Sequence, residues 1–361
     1  MATFARLLRG SMLLVAAACG GTVEPVPDET TASLARERVG CRPTIVVGGE
    51  ADLRAAVASA PPGAAIGVRG TIVLTSDLVI DRPDLTLTCA TRGATLVATG
   101  AYPGEFVGNM IDIRASAVRI IALRVDATMA GLAAIVAFGD PALGGPIDGF
   151  GVSGTTVLCA NGIPCIYAAG IHRAPRIVDN EVISDAAFAG VLLSSAFAPV
   201  ESPVVERNRI TELGLNPGAF SGIRLSSVSG AVVRRNVVTG AWRSSIGLVN
   251  VVESTIAGNS LLDPLGWGIS QSVGAGTGLR DTEIVENTIR GGNQAGIDLA
   301  DACYNRLADN RLSGVATEYL LRATTGANSV VTRNGAAVND LGARDCDGDG
   351  VIDPNTIRVS R

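Results

Sequence analysis

Lysine is missing from this 361-residue chain: all 29 basic side chains are arginines. That excludes Schiff-base chemistry and a lysine proton acceptor. There is one histidine, His172, so a multi-histidine metal centre cannot be built. Aspartates and glutamates outnumber arginines 34 to 29, which leaves no basic footprint for nucleic acid. Aromatics make up only 4% of the chain while glycines number 44, a balance that favours many short elements joined by turns over long helices. No C-x-x-C pair is present, which weakens any metal role for the cysteines.

The N-terminal stretch MATFARLLRGSMLLVAAAC has Arg6 and Arg9, then the apolar run Met12–Ala18, then Cys19. The run is too short to span a bilayer and is expected to be a signal peptide over 1–18. It resembles a bacterial lipoprotein signal, with Ala16 where such signals usually have Leu. The resemblance implies lipidation of Cys19, and otherwise cleavage after Ala18 yields a secreted chain. Either way the mature protein is exported, and membrane contact is through a lipid anchor only. Residues 19–40 are a polar tether. Export permits disulfides. Six cysteines remain, and proximity favours Cys159–Cys165, leaving Cys41–Cys89 and Cys303–Cys346 to tie down the two ends.

In GGEADLRAAVASAPPG, Leu53, Ala56, Val57 and Ala60 share one helical face before Pro61-Pro62-Gly63 stops it. A period then emerges. Asn180, Asn208, Asn236, Asn259, Asn287, Asn310 and Asn334 follow one another at spacings of 28, 28, 23, 28, 23 and 24. An aliphatic residue stands three places before each: Ile177, Val205, Val233, Ile256, Ile284, Leu307 and Val331. Two places after each stands Val182, Ile210, Val238, Leu261, Ile289, Leu312 or Ala336. A repeat of this length means a solenoid. Residues five apart cannot face the same way along a straight strand, so the chain must bend between them. Asn tolerates the left-handed backbone such a bend requires, and stacked Asn side chains can hydrogen-bond from coil to coil. A second, straight strand recurs as GVLL, GIRL, SIGL, GISQ and GIDL, starting at 190, 222, 245, 268 and 296.

Three short strands per coil with one tight Asn corner resemble the right-handed parallel β-helix of the pectate-lyase-like superfamily. The expected fold is therefore an all-β parallel solenoid over 41–340, closed at its N-terminal end by the helix at about 50–60. An Asp-rich segment over 341–361 follows it. The resemblance implies a groove along the outside of the straight strand. The outward column there reads Asp112, Val136, His172, Leu192, Arg224, Gly247, Ser270 and Asp298. Arg224 is the candidate base, because the superfamily often uses Arg or Lys. Asp298 is a candidate acid or metal group, and His172 completes the candidate catalytic set. Arg224 and Asp298 lie three coils apart, about 14 Å, too far to act as a pair.

Phe220, Trp242 and Trp267 precede three successive straight strands. They either form a stacking platform for sugar rings or fold inward to cover the corner. Arg243, Asn293 and Gln294 are candidate polar partners for a sugar. In DCDGDGVID, Asp345, Asp347 and Asp349 alternate, then come Gly350, Val351 and Asp353. Alternating carboxylates, a glycine turn and the Val351 carbonyl suit Ca²⁺. The segment resembles EF-hand-type loops, with Thr356 in place of the closing Glu. Two functions fit: binding, with lyase- or epimerase-type processing, of an acidic polysaccharide or cell-surface glycan, or a non-catalytic structural or adhesive solenoid.

Overall fold

The computed structural model describes residues 41–360 apart from 100–108, 129–132, 140–144, 161–163, 186, 196–199, 215–219, 273–277 and 334–335. Cys19, the tether and Asn334 lie outside the described residues. The chain is a right-handed parallel β-solenoid built from three long sheets. One has thirteen strands, from Ile45–Val47 to Thr356–Ser360, and one has ten, from Thr71–Leu74 to Arg311–Ser313. The third, the groove sheet, contains the straight strands, among them Ala189–Ser194, Ser221–Ser229, Ser244–Val252, Trp267–Gln271 and Ala295–Leu299. Every described strand pairing in the sheets is parallel and joins neighbouring coils. Most coils also carry a short strand between the straight strand and the thirteen-stranded sheet, such as Val200–Glu201, which the repeat pattern did not predict.

The aliphatic positions of the repeat form the core. Ile177, Val205, Val233, Ile256, Ile284 and Leu307 are fully buried, as are Val182, Ile210, Val238, Leu261 and Ile289. The last coil departs from the expected register. Leu307 pairs with Val330, which is buried, while Val331 pairs with Ala308 and points outward.

The Asn corner works differently from the expectation. The left-handed residue is the one before each Asn: Asp179, Arg207, Arg235, Gly258, Glu286 and Asp309. That frees the Asn to turn its side chain along the stack. The Asn208 Nδ2 donates to Asn236 Oδ1 at 2.9 Å and to the Ile177 carbonyl at 2.8 Å, and the Asn208 N–H donates to the same Oδ1 at 2.9 Å. The pattern repeats from Asn180 to Asn310. A second amide ladder, Asn305–Asn328–Asn355, runs up another corner. Asn355 belongs to the Asp-rich segment, and Thr356–Ser360 pairs with Ser329–Arg333, so that segment is built onto the solenoid as a further rung.

At the other end, helix Glu50–Ser59 buries Leu53, Ala56 and Val57 over the first coils. Arg54 donates to the carbonyls of Ser76 and Asp77, and Glu50 accepts the Thr75 N–H. These bonds lash the cap to the coil beneath it, where it covers apolar side chains that an open end would expose. Among the described residues, no helix is long and apolar enough to cross a membrane. Disulfides Cys41–Cys89, Cys159–Cys165 and Cys303–Cys346 are all formed, as the spacing suggested. They place the protein in an oxidising, exported setting.

Glycine starts the straight strand for a packing reason. The pairing skips Gly222, between Ser221 opposite Ser244 and Ile223 opposite Ile246, and the place of its missing Cβ faces the core. A Cβ at Gly222 would lie 2.3 Å from Val238 Cγ1 and 2.9 Å from the Ser245 carbonyl. Gly190, Gly268 and Gly296 meet the same wall of aliphatics. Ser245 takes this position in one coil and leaves its Oγ buried without a partner.

Candidate functional site

The straight strands carry the predicted outward column with one change. Val79, Asp112, Val136, Tyr167, Leu192, Arg224, Gly247, Ser270 and Asp298 align in successive coils. Tyr167 holds the place assigned to His172. His172 lies in the following short strand, Ile171–Arg173, past the bend at Gly170, so it leaves the groove column. From sequence the place is assigned to His172 alone, and pairing in the folded stack puts Tyr167 of Ile166–Ala169 there instead.

A cavity of about 280 Å³ opens along the C-terminal half of this column. Phe220, Arg224, Arg243, Trp267 and Asp298 line it, together with Arg322 and the hydroxyls of Ser244 and Ser270. The two hydroxyls bond to each other at 2.7 Å. Asn293 and Gln294 are exposed on the loop before Ala295–Leu299 and do not line the cavity.

The aromatics divide between the two expected fates. Trp242 is fully buried and its Nε1 donates to the Thr239 carbonyl at 3.1 Å, so it covers the corner from inside. Phe220 stays 38% exposed and Trp267 is half-buried. Arg243 lies between them, its guanidinium 5.7 Å from the Phe220 ring centre and 5.4 Å from the Trp267 ring. Arg224 sits 5.6 Å from Phe188 and 5.8 Å from Phe220. The result is an alternating wall, Phe188–Arg224–Phe220–Arg243–Trp267. Phe188 was not singled out from sequence, yet it stands two residues before Gly190 as Phe220 does before Gly222.

Three guanidiniums, Arg224, Arg243 and Arg322, face one carboxylate, Asp298. Asp298 is 2% exposed, and Arg322 holds both its oxygens: Nε donates to Oδ1 at 2.8 Å and Nη2 to Oδ2 at 2.5 Å. Asp298 is thereby a partner of Arg322 and not an open metal ligand or proton donor. The pair also raises the Arg322 pKa, first through that hydrogen bond. Among the described residues, no carboxylate pairs with Arg224 or Arg243. Burial, and then the charge of Arg243, pull the Arg224 pKa below its ordinary value. The cavity thus carries two guanidiniums' worth of uncompensated positive charge between aromatic faces. Chemically, it is suited to an anion that also presents flat apolar surface.

At the C-terminal end, carboxylate oxygens of Asp345, Asp347 and Asp353 lie within 4.8 Å of one another. Asp345 accepts the N–H groups of Gly348 and Gly350, which lower its pKa. Asp353 accepts the Cys346 N–H at 2.8 Å. Asp349 is outside the trio and accepts the Val351 N–H at 2.8 Å, while the Val351 side chain is exposed.

The model of a family described as "right handed beta helix region" matches residues 157–312. No curated protein matches the chain at the sequence level. Among solved structures it is similar to the periplasmic alginate epimerase AlgG, as a double mutant, at 13% identity with a TM-score of 0.57, covering 88% of this chain and 84% of that one. An alginate lyase from Paenibacillus sp. str. FPU-7 has 14% identity and a TM-score of 0.55, covering 82% and 98%. The Dettilon tailspike protein has 15% identity and a TM-score of 0.52, covering 86% of this chain, which spans 64% of that chain's length. At these identities the likeness is one of fold.

Proposed function

We propose that the groove binds an acidic polysaccharide, with uronate carboxylates seated on Arg224 and Arg243 and sugar faces laid against Phe220 and Trp267. The observation that carries this reading is the pair of guanidiniums that have no carboxylate partner among the described residues and are held between rings. By contrast, Arg207 at the Asn corner and Arg234 on the thirteen-stranded sheet are matched by Glu206. Similar folds in an alginate epimerase and an alginate lyase agree with a glycan ligand. The test is calorimetric titration of the purified protein with polygalacturonate, alginate and neutral dextran at two salt concentrations. Binding of the acidic polymers that weakens with salt is expected; equal affinity for dextran would overturn the reading.

A second reading, lyase- or epimerase-type processing, rests on the lowered Arg224 pKa. As a base, Arg224 would take the proton beside the carboxylate while Arg243 balances the growing negative charge. In elimination the electron pair forms a double bond as the glycosidic C–O bond breaks, and the leaving oxygen takes a proton from water. In epimerisation a water proton adds to the opposite face, and the proton on Arg224 passes to solvent. Unsaturated products absorb in the ultraviolet. No such absorbance and no change in uronate stereochemistry on prolonged incubation would leave the protein a binder.

Two further parts complete the proposal. Ca²⁺ bound by Asp345, Asp347 and Asp353 orders the terminal rung, with the Val351 carbonyl as a further ligand and Asp349 joining if its Asx turn opens. The melting temperature should rise with millimolar Ca²⁺ and stay unchanged in Asp345→Asn; a rise in both would exclude this site. A lipid on Cys19 tethers the groove to a bacterial membrane. Palmitate labelling in a bacterial host should be lost in Cys19→Ala, and unlabelled wild-type protein would mean a secreted chain instead.

A further inference from the structure

A second cavity of about 270 Å³ opens on the same outward column, toward the N-terminal end. Tyr167 stands two coils and Asp112 four coils before Arg224, about 10 and 19 Å along the stack. The two cavities therefore lie on one straight line along the groove sheet.

Their chemistry differs. In the second cavity Asp112 and Arg114 form a balanced pair beside Asp77, so it carries no excess positive charge among the described residues. The first has an excess of two positive charges, three arginines against Asp298. Asp112 is 5% exposed, and Arg114 directs two of its nitrogens at a single oxygen: Nε and Nη2 reach Oδ2 at 2.8 and 2.6 Å. Among the described residues, no donor reaches Asp112 Oδ1. An acceptor that faces a cavity in this state gains from a hydroxyl offered to it, whereas a second carboxylate would be repelled by the Asp112 charge. Phe138 and Tyr167, both half-buried, supply ring surface beside it.

Resting on the polysaccharide reading of the groove, we infer that this cavity is a subsite for an uncharged, hydroxyl-bearing sugar residue of the same ligand chain. The ligand is then a heteropolymer that carries both acidic and neutral sugars, and a pure polyuronate is an incomplete one. A homopolymer of uronates would place a carboxylate against Asp112; a neutral polymer would leave Arg224 and Arg243 unpaired.

The experiment compares equilibrium binding of three probes to the purified protein. They are gellan oligosaccharides, whose repeat combines a glucuronate with neutral sugars, polygalacturonate oligosaccharides of matched length, and dextran. Wild-type protein should prefer the gellan probe. Tyr167→Ala should weaken that probe about tenfold, the loss of an aromatic stack and its contacts, and leave polygalacturonate within about twofold. Tyr167→Phe keeps the ring and should restore most of the difference, which separates the subsite from a folding defect. Equal or tighter binding of polygalacturonate by the wild type overturns the inference. So does a Tyr167→Ala variant that binds gellan normally while Arg224→Ala does not, and in that case the acidic-polysaccharide reading survives. Failure of all three probes to bind overturns both.

Discussion

Replacing Asn236 with alanine is expected to lower stability by about 4 kcal/mol or more. Asn236 is fully buried in the middle of the ladder. Its Oδ1 accepts the Asn208 N–H and Nδ2, both at 2.9 Å. Its Nδ2 donates to the Val205 carbonyl at 2.9 Å and to Asn259 Oδ1 at 3.0 Å. Alanine orphans all four bonds at once, and each buried group left short of a partner costs about 1–3 kcal/mol. The urea midpoint, measured with the disulfides intact, reads the effect. Asn293→Ala, on an exposed loop, should change it by under about 0.5 kcal/mol. A loss below about 1 kcal/mol for Asn236→Ala would mean that the ladder follows the fold without holding it.

The double variant Arg224→Ala, Arg243→Ala should bind acidic polysaccharide at least about 100-fold more weakly. A hydrogen bond to a charged group contributes about 1.5–3 kcal/mol, and 1.4 kcal/mol is tenfold. Neither arginine has a carboxylate partner among the described residues, so removing them strands no buried anion and the fold should persist. Arg322→Ala is a poor substitute for this test, since it would leave Asp298 buried and unpaired. Arg243→Lys should recover only part of the affinity, because an ammonium keeps the charge but loses the planar fork and the stacking on Phe220 and Trp267. Arg176→Ala, on the outer face of the thirteen-stranded sheet, serves as the control and should bind normally. Unchanged affinity in the double variant would move the binding site elsewhere.

Much of the groove was legible because β-solenoids write their geometry as spacing. The GIxL copies placed Arg224, Gly247, Ser270 and Asp298 in one column, and the structure keeps them there. The copy containing Tyr167 was missed because GIHR at 170 carries the leading glycine that marks four of the strands, and IYAA does not. In the four coils with that glycine, its missing Cβ makes room for Ile210, Val238, Ile289 or Leu312. The fate of the aromatics was not legible. Trp242 and Trp267 occupy similar positions before successive strands, yet one fills the corner and the other lines the groove.

By itself, the sequence determined the solenoid, its coil length and the core-facing aliphatics, since each follows from intervals along the chain. Only the tertiary structure decided which charges remain free. Asp298 and Arg322 are 24 residues apart and meet because one coil stacks on the next. Arg224 and Arg243 lie in adjacent coils, stand against rings and have no carboxylate partner among the described residues. Pairing is a matter of distance across coils, where a side chain's reach and rotamer choose its partner, and spacing along the chain does not record that choice.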